Sequence, residues 1–143
     1  MLIRLLMLGK TRRPEIRALL DDYAARIRRF ADLEMQELRA DSPAALRKIA
    51  IAPGAAVVLL DAAGKHHNSE QFARWLGDCR DRGAREIAFL CGAAEGFPAA
   101  LSQRATAKMS LSPLTFSHEL ARVMLVEQLY RAFAALAGHP YPK

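Results

Sequence analysis

Cysteine is scarce in this chain: two of its 143 residues, Cys79 and Cys91, with no CxxC spacing. A disulfide framework and a zinc ribbon are thereby excluded, and small buried thiols in a reducing compartment are expected. Long hydrophobic runs are missing too. The apolar opening Met1 to Leu8 carries Arg4 and stops at Gly9, too short for a secretory signal core or a membrane span. A cytoplasmic protein with no membrane partner and no metal is therefore the expectation. No internal repeat, low-complexity stretch or linker interrupts the chain, and its length leaves no room for a second core, so residues 1–143 read as one domain.

What is present fits a folded protein. Hydrophobic residues make up 52% and charged residues 25%, which excludes a disordered or coiled-coil chain. Lysine and arginine number 21 against 15 acidic residues, a formal charge of +6. That sign suits a polyanionic partner and equally suits solvated helix faces.

Leu2 to Leu8 reads as a buried strand, and Pro14 opens a helix to about Phe30 whose Ile16, Leu19, Leu20, Tyr23 and Ile27 share a face. Leu33 to Leu38 is a second strand, followed by a short helix capped by Ser42 and closed at Pro53-Gly54. The apolar run Ala55 to Leu60 is a third strand, Asp61 to Asn68 a loop, and Ser69 the cap of a helix that Gly83 ends. Glu86 to Cys91 is a fourth strand, Gly92 to Gly96 a turn, Pro98 to Arg104 a short helix and Lys108 to Leu111 a fifth strand. After the loop Ser112 to Ser117 the last helix runs from His118 to about Ala137. Alternating strands and helices predict an α/β fold, a mostly parallel sheet flanked by helices, with ligands outside the carboxyl ends of the strands.

The last helix leaves almost no wide polar face: Leu120, Val123, Met124, Leu125, Val126, Leu129, Tyr130, Phe133 and Leu136 surround it. Either it lies centrally in a monomer, or a second copy of the chain covers one side.

Two loops carry chemistry. Gly92-Ala93-Ala94-Glu95-Gly96 joins a strand to a helix, where glycine lets backbone approach a ligand. It is neither GxGxxG nor a Walker A loop, since the phosphate-binding Lys and Ser/Thr are missing. Leu111 to His118 has apolar residues where a solvated loop would be polar, which fits either packing into the core or wrapping around an apolar ligand. Taken with Leu59-Leu60-Asp61-Ala62-Ala63-Gly64-Lys65, these segments resemble the SPOUT superfamily. More narrowly, the chain resembles the ribosomal RNA large subunit methyltransferase H family. The likeness runs end to end and includes the Leu-Ser-x-Leu-Thr run, Arg122, Glu127, Tyr130-Arg131 and the His139-Pro140-Tyr141 tail.

The resemblance implies a methyltransferase that uses S-adenosylmethionine to methylate N3 of a pseudouridine in 23S ribosomal RNA of the ribosome. It also implies a SPOUT-type fold with a deep trefoil knot in the carboxyl-terminal part, and a homodimer that completes each active site. Carried over by position, Leu60, Gly92, Leu111, Ser112, Pro113, Leu114, Thr115 and Phe116 would bind the cofactor, whose adenine and carbon chain suit apolar walls. Methyl transfer rests on alignment, and the N3 imide proton needs a base or a cation to stabilise its anion. Candidates are His118, Arg122, Glu95, His139 and Tyr141, the last also able to stack on a base. Read as residues alone, His118 is equally a helix cap, Arg122 a structural ion-pair partner and the tail a frayed terminus.

Two positions depart from the family pattern: Ala93-Ala94 replace Gly-Pro in the glycine loop, and Pro142 stands where a second tail histidine is common. The rival readings are a basic, ribosome-associated module that no longer catalyses, and a flavodoxin-like domain for another nucleotide.

Overall fold

A computed structural model describes residues 1–39, 42–93 and 96–141. Five strands, β1 (Leu2–Leu8), β2 (Asp32–Leu38), β3 (Ala56–His66), β4 (Glu86–Cys91) and β5 (Ala107–Ser110), form one sheet in the order β2-β1-β4-β3-β5, every pairing parallel. The helices α1 (Pro14–Ile27), α2 (Pro43–Arg47), α3 (Ser69–Asp81) and α4 (Ala99–Ser102) supply the crossovers, and α5 (His118–Leu136) follows the last strand. Parallel neighbours need such crossovers, which is why apolar runs and helical periodicity alternate along the chain.

The two-residue period of the strands divides the core. Ile3, Leu5 and Met7 of β1 face one way, where they meet Ile16, Leu20, Ala24 and Ile27 of α1, Phe72 and Leu76 of α3, and Leu125, Leu129 and Phe133 of α5. Leu6 and Leu8 face the other way, against Leu46 of α2 and Leu101 of α4. The central β4 is covered on both faces, and all six of its residues are buried. α5 packs between α1 and α3, which covers Leu125, Val126, Leu129, Tyr130 and Phe133 but leaves Leu120 and Met124 43% exposed.

Four expectations need correction. The short helix expected to close at Pro53-Gly54 ends at Arg47, with Lys48 as its C-cap. The helix expected to reach Phe30 ends at Ile27, where Phe30 and Ala31 fold back to bond the Ile27 carbonyl. Asn68, not Ser69, caps α3, accepting from the Gln71 amide in a reciprocal capping box. The supposed loop after Leu60 continues as strand to His66. Met109 of β5 is the register partner of both Leu60 and Lys65, so residues 61–64 leave β5 and return to the same point on it. Gly64 makes this approach feasible: a Cβ there would lie 2.7 Å from the Lys108 carbonyl carbon and 2.7 Å from the Met109 nitrogen.

Candidate active site

A cavity of about 510 Å³ opens at the carboxyl ends of β3, β4 and β5, where parallel α/β sheets place ligands. Leu59, Leu60, Asp61 and Ala62 leave β3 into its wall, and Cys91, Gly92 and Ala93 leave β4. Leu111, Ser112, Leu114, Thr115 and Phe116 wrap the third side, with His118 and Ala121 of α5 behind them. The structure thus brings together the residues anticipated as cofactor-binding, apart from Pro113, which does not line the cavity although Ser112 and Leu114 on either side of it do. Asp61, which lies within the Leu59 to Lys65 motif but carried no assigned role, also lines it, as do Lys108, Phe97 and Ser102, which no motif singled out.

The apolar character of this wall is physical. Leu114 is 73% and Phe116 36% exposed, so both offer hydrophobic surface that a ligand or partner can cover. Burial pushes the Cys91 thiol up to about 12, with Arg122 opposing, so it is a neutral wall group and not a nucleophile. The loop is held in shape locally: Ser110 Oγ donates to the Ser112 carbonyl at 3.0 Å, and the Leu114 amide donates to Ser112 Oγ at 2.9 Å. At Gly92 a Cβ would meet the Phe97 ring at 3.1 Å, so glycine lets the ring close over the strand end.

The proposed proton-handling residues separate. His118 opens α5 at the cavity, where Ser117 caps the helix by accepting from the Leu120 amide at 3.4 Å. Arg122 is fully buried away from the lining; it donates to the Leu8 carbonyl at 2.6 Å, the Gly9 carbonyl at 3.0 Å and Thr11 Oγ1 at 2.8 Å. It holds backbone, where an ion pair with Glu119 or Glu127 was the simple structural alternative. His139 and Tyr141 follow the far end of α5, about 27 Å from His118 at roughly 1.5 Å per residue. There the tail is ordered: the Tyr141 hydroxyl meets that of Tyr23 at 3.1 Å and donates to Glu127 at 3.4 Å, and its ring meets Tyr130 edge-on with centroids 4.4 Å apart. Burial, then Tyr23 and Glu127, push the Tyr141 hydroxyl up, so it remains protonated at neutral pH. Glu95 and Pro142 lie outside the described residues. Among the described residues no group of three His, Cys, Asp or Glu side chains gathers in metal-binding fashion, and no helix is long and apolar enough to cross a membrane.

Comparison with known proteins agrees with this geometry. Residues 1–142 match a family described as "Predicted SPOUT methyltransferase". Proteins called ribosomal RNA large subunit methyltransferase H are similar throughout: that of Pelobacter propionicus is 39% identical over 99% of both chains. Those of Geobacter sulfurreducens and Sorangium cellulosum are 36% identical over 99% of both and 40% identical over 93% of both, respectively. A solved structure described as a probable methylase family protein from Haemophilus influenzae Rd KW20 shares the fold, with a TM-score of 0.56 at 11% identity, covering 99% of this chain and 70% of that one. The chain therefore belongs to the SPOUT methyltransferase family and, within it, stands with the proteins named ribosomal RNA large subunit methyltransferase H.

Proposed function

We propose that this chain transfers the methyl group of S-adenosylmethionine to N3 of a pseudouridine in 23S ribosomal RNA of assembled ribosomes, as one catalytic domain over residues 1–143 acting in a cytoplasmic homodimer. The observation that carries the reading is the cavity at the three strand ends. Its volume, about 510 Å³, lies within the range of small-molecule sites, and its walls are apolar with a few converging polar groups.

Those residues fit the cofactor. Leu60, Leu111, Leu114 and Phe116 offer apolar surface for an adenine and a methylene chain, and Gly92 keeps the β4 end open for backbone contact. Asp61 and Lys108 supply the opposite charges that an amino acid moiety requires. The bound cofactor supplies an electrophilic methyl on a sulfonium. The chain's own task is then to orient the base in line with it, exclude water and take up the N3 proton. His118 contributes the imidazole in the cavity wall and is the residue placed to accept that proton.

The tail enters from a second copy in this reading. Within one chain His139 and Tyr141 are separated from His118 by the length of α5, while Leu120 and Met124 leave an apolar strip on the same helix near the cavity. Burying that strip against its symmetry mate brings the amino end of one helix toward the carboxyl end of the other if the helices run antiparallel. A deep trefoil knot in the carboxyl-terminal part also belongs to the reading, supported by the match of residues 1–142 to the SPOUT methyltransferase family.

Undermethylated ribosomes incubated with labelled cofactor, followed by mass spectrometric mapping, test the reading. Label at N3 of a pseudouridine in 23S ribosomal RNA is expected; label on another base refutes the substrate.

A further inference from the structure

The connection between β1 and α1, residues 9–13, does not line the cavity, yet buried groups from two other elements tie its backbone down. Arg122 of α5, 0% exposed, holds the carbonyls of Leu8 and Gly9 and the hydroxyl of Thr11. One turn earlier, Glu119 Oε1 accepts from the amides of Arg12 and Arg13, each at 3.1 Å. Glu37 near the end of β2 accepts from the Thr11 amide at 2.8 Å and pairs with Arg17. The Gly9 amide donates to the Leu38 carbonyl at 2.8 Å.

The outward side chains of this clamped segment are Lys10, Arg12 and Arg13, all exposed. Lys10 and Arg12 have no ion-pair partner among the described residues, and Arg13 has only the equally exposed Glu15 at 3.8 Å. The segment sits at the carboxyl end of β1, beside β4, whose end lines the cavity. Its clamps Glu119 and Arg122 alternate along α5 with His118 and Ala121, which line the cavity too. A buried guanidinium and a buried carboxylate are expensive ways to hold a short turn unless its position matters. Here they fix three exposed cations, two of them without an ion-pair partner among the described residues, at the rim of the site, and the phosphate backbone of RNA is the ligand whose charge matches.

We propose that residues 10–13 form the phosphate-gripping rim of this site, with Lys10, Arg12 and Arg13 contacting RNA phosphates that flank the nucleotide in the cavity. Glu119 and Arg122 are positioning residues that hold the rim. This inference rests on the RNA methyltransferase reading above.

The test compares two triple variants of equal charge loss: Lys10→Ser/Arg12→Ser/Arg13→Ser at the rim, and Arg80→Ser/Arg82→Ser/Arg85→Ser at the opposite end of the sheet. With undermethylated ribosomes, the rim triple is expected to raise KM at least about tenfold and to lower the salt slope of binding by about two to three units, one per lost phosphate contact. The distal triple should do neither, and cofactor affinity measured by calorimetry should match the parent in both. Equal effects of the two triples, or none at the rim, would overturn the assignment. Glu119→Gln tests the clamp through sign: it removes one negative charge and raises the net charge by one, so a pure field effect lowers KM, whereas a loosened rim raises it. Arg122→Lys, which keeps the charge but loses the fork, should raise KM likewise; a lowered KM in either variant removes the positioning role. A parent chain that methylates no ribosomal base fails the function reading itself, and is recognised before any variant is compared.

Discussion

Arg122 is the largest fully buried side chain among the described residues, and a cation there is tolerated because three oxygens receive it. Its Nε finds no partner among the described residues, so the fork toward Leu8, Gly9 and Thr11 carries the compensation. Arg122→Met keeps much of the volume but orphans two backbone carbonyls, and urea denaturation should report a loss of about 3 kcal/mol. Glu119 answers to the same logic in the other sign. The Arg13 amide lowers its carboxyl, burial opposes, and the Arg12 amide adds to the lowering. A carboxyl held below its unfolded value of about 4.3 contributes its stability above that pH and loses it as pH falls through the folded value. Glu119→Gln should therefore be less stable than the parent at pH 7 and converge with it below about pH 4, read from unfolding midpoints across that range. A constant gap between the two down to pH 2 would detach the effect from the charge.

At the scale of elements, Gly64 is where the chain has least tolerance. A methyl group there meets the backbone of Lys108 and Met109 at 2.7–2.8 Å, and backbone held in a parallel pairing cannot step aside as a flexible side chain does. Gly64→Ala should destabilise by at least about 1–3 kcal/mol, measured by thermal or urea unfolding, and should lower cofactor affinity because Leu60 and Asp61 enter the cavity wall from the same segment. Most strands and helices were legible because an apolar run or a helical stripe marks each one, as at β1, β4 and α5. The extension of β3 through Asp61-Ala62-Ala63-Gly64-Lys65 was not: such small and polar residues signal a loop, and the pairing of Lys65 and His66 with β5, more than forty positions away in the chain, returns the segment to the sheet. The cavity was legible where the motifs lay, at Leu60, Gly92 and Leu111 to Phe116. Lys108, and the place in the wall of Asp61 within its motif, escaped because a charged residue at a strand end looks the same whether it faces solvent or a ligand. The clamp on residues 9–13 was invisible for a related reason, since the acceptors of Arg122 are backbone carbonyls, which leave no mark in the amino-acid pattern.

For the whole molecule, the decisive fact is the separation of the cavity from the tail by the length of α5. A tail acting in its own chain would have to leave the site where Tyr141 packs on Tyr130 and bonds Tyr23 and Glu127; a tail acting in a partner can stay docked. Deleting residues 138–143 should abolish turnover while leaving cofactor affinity within about tenfold, because none of the described tail residues 138–141 lines the cavity. Mixing separates the two arrangements. One copy lacks the tail; the other carries Gly92→Trp, which fills the cavity mouth beside Phe97 but keeps its tail. Each is inactive alone. If tail and cavity meet across a symmetric dimer, random reassociation makes about half the dimers mixed, each with one complete site, so about a quarter of the parent activity should return. If the tail serves its own chain, the same mixture stays silent, because no chain in it has both a cavity and a tail.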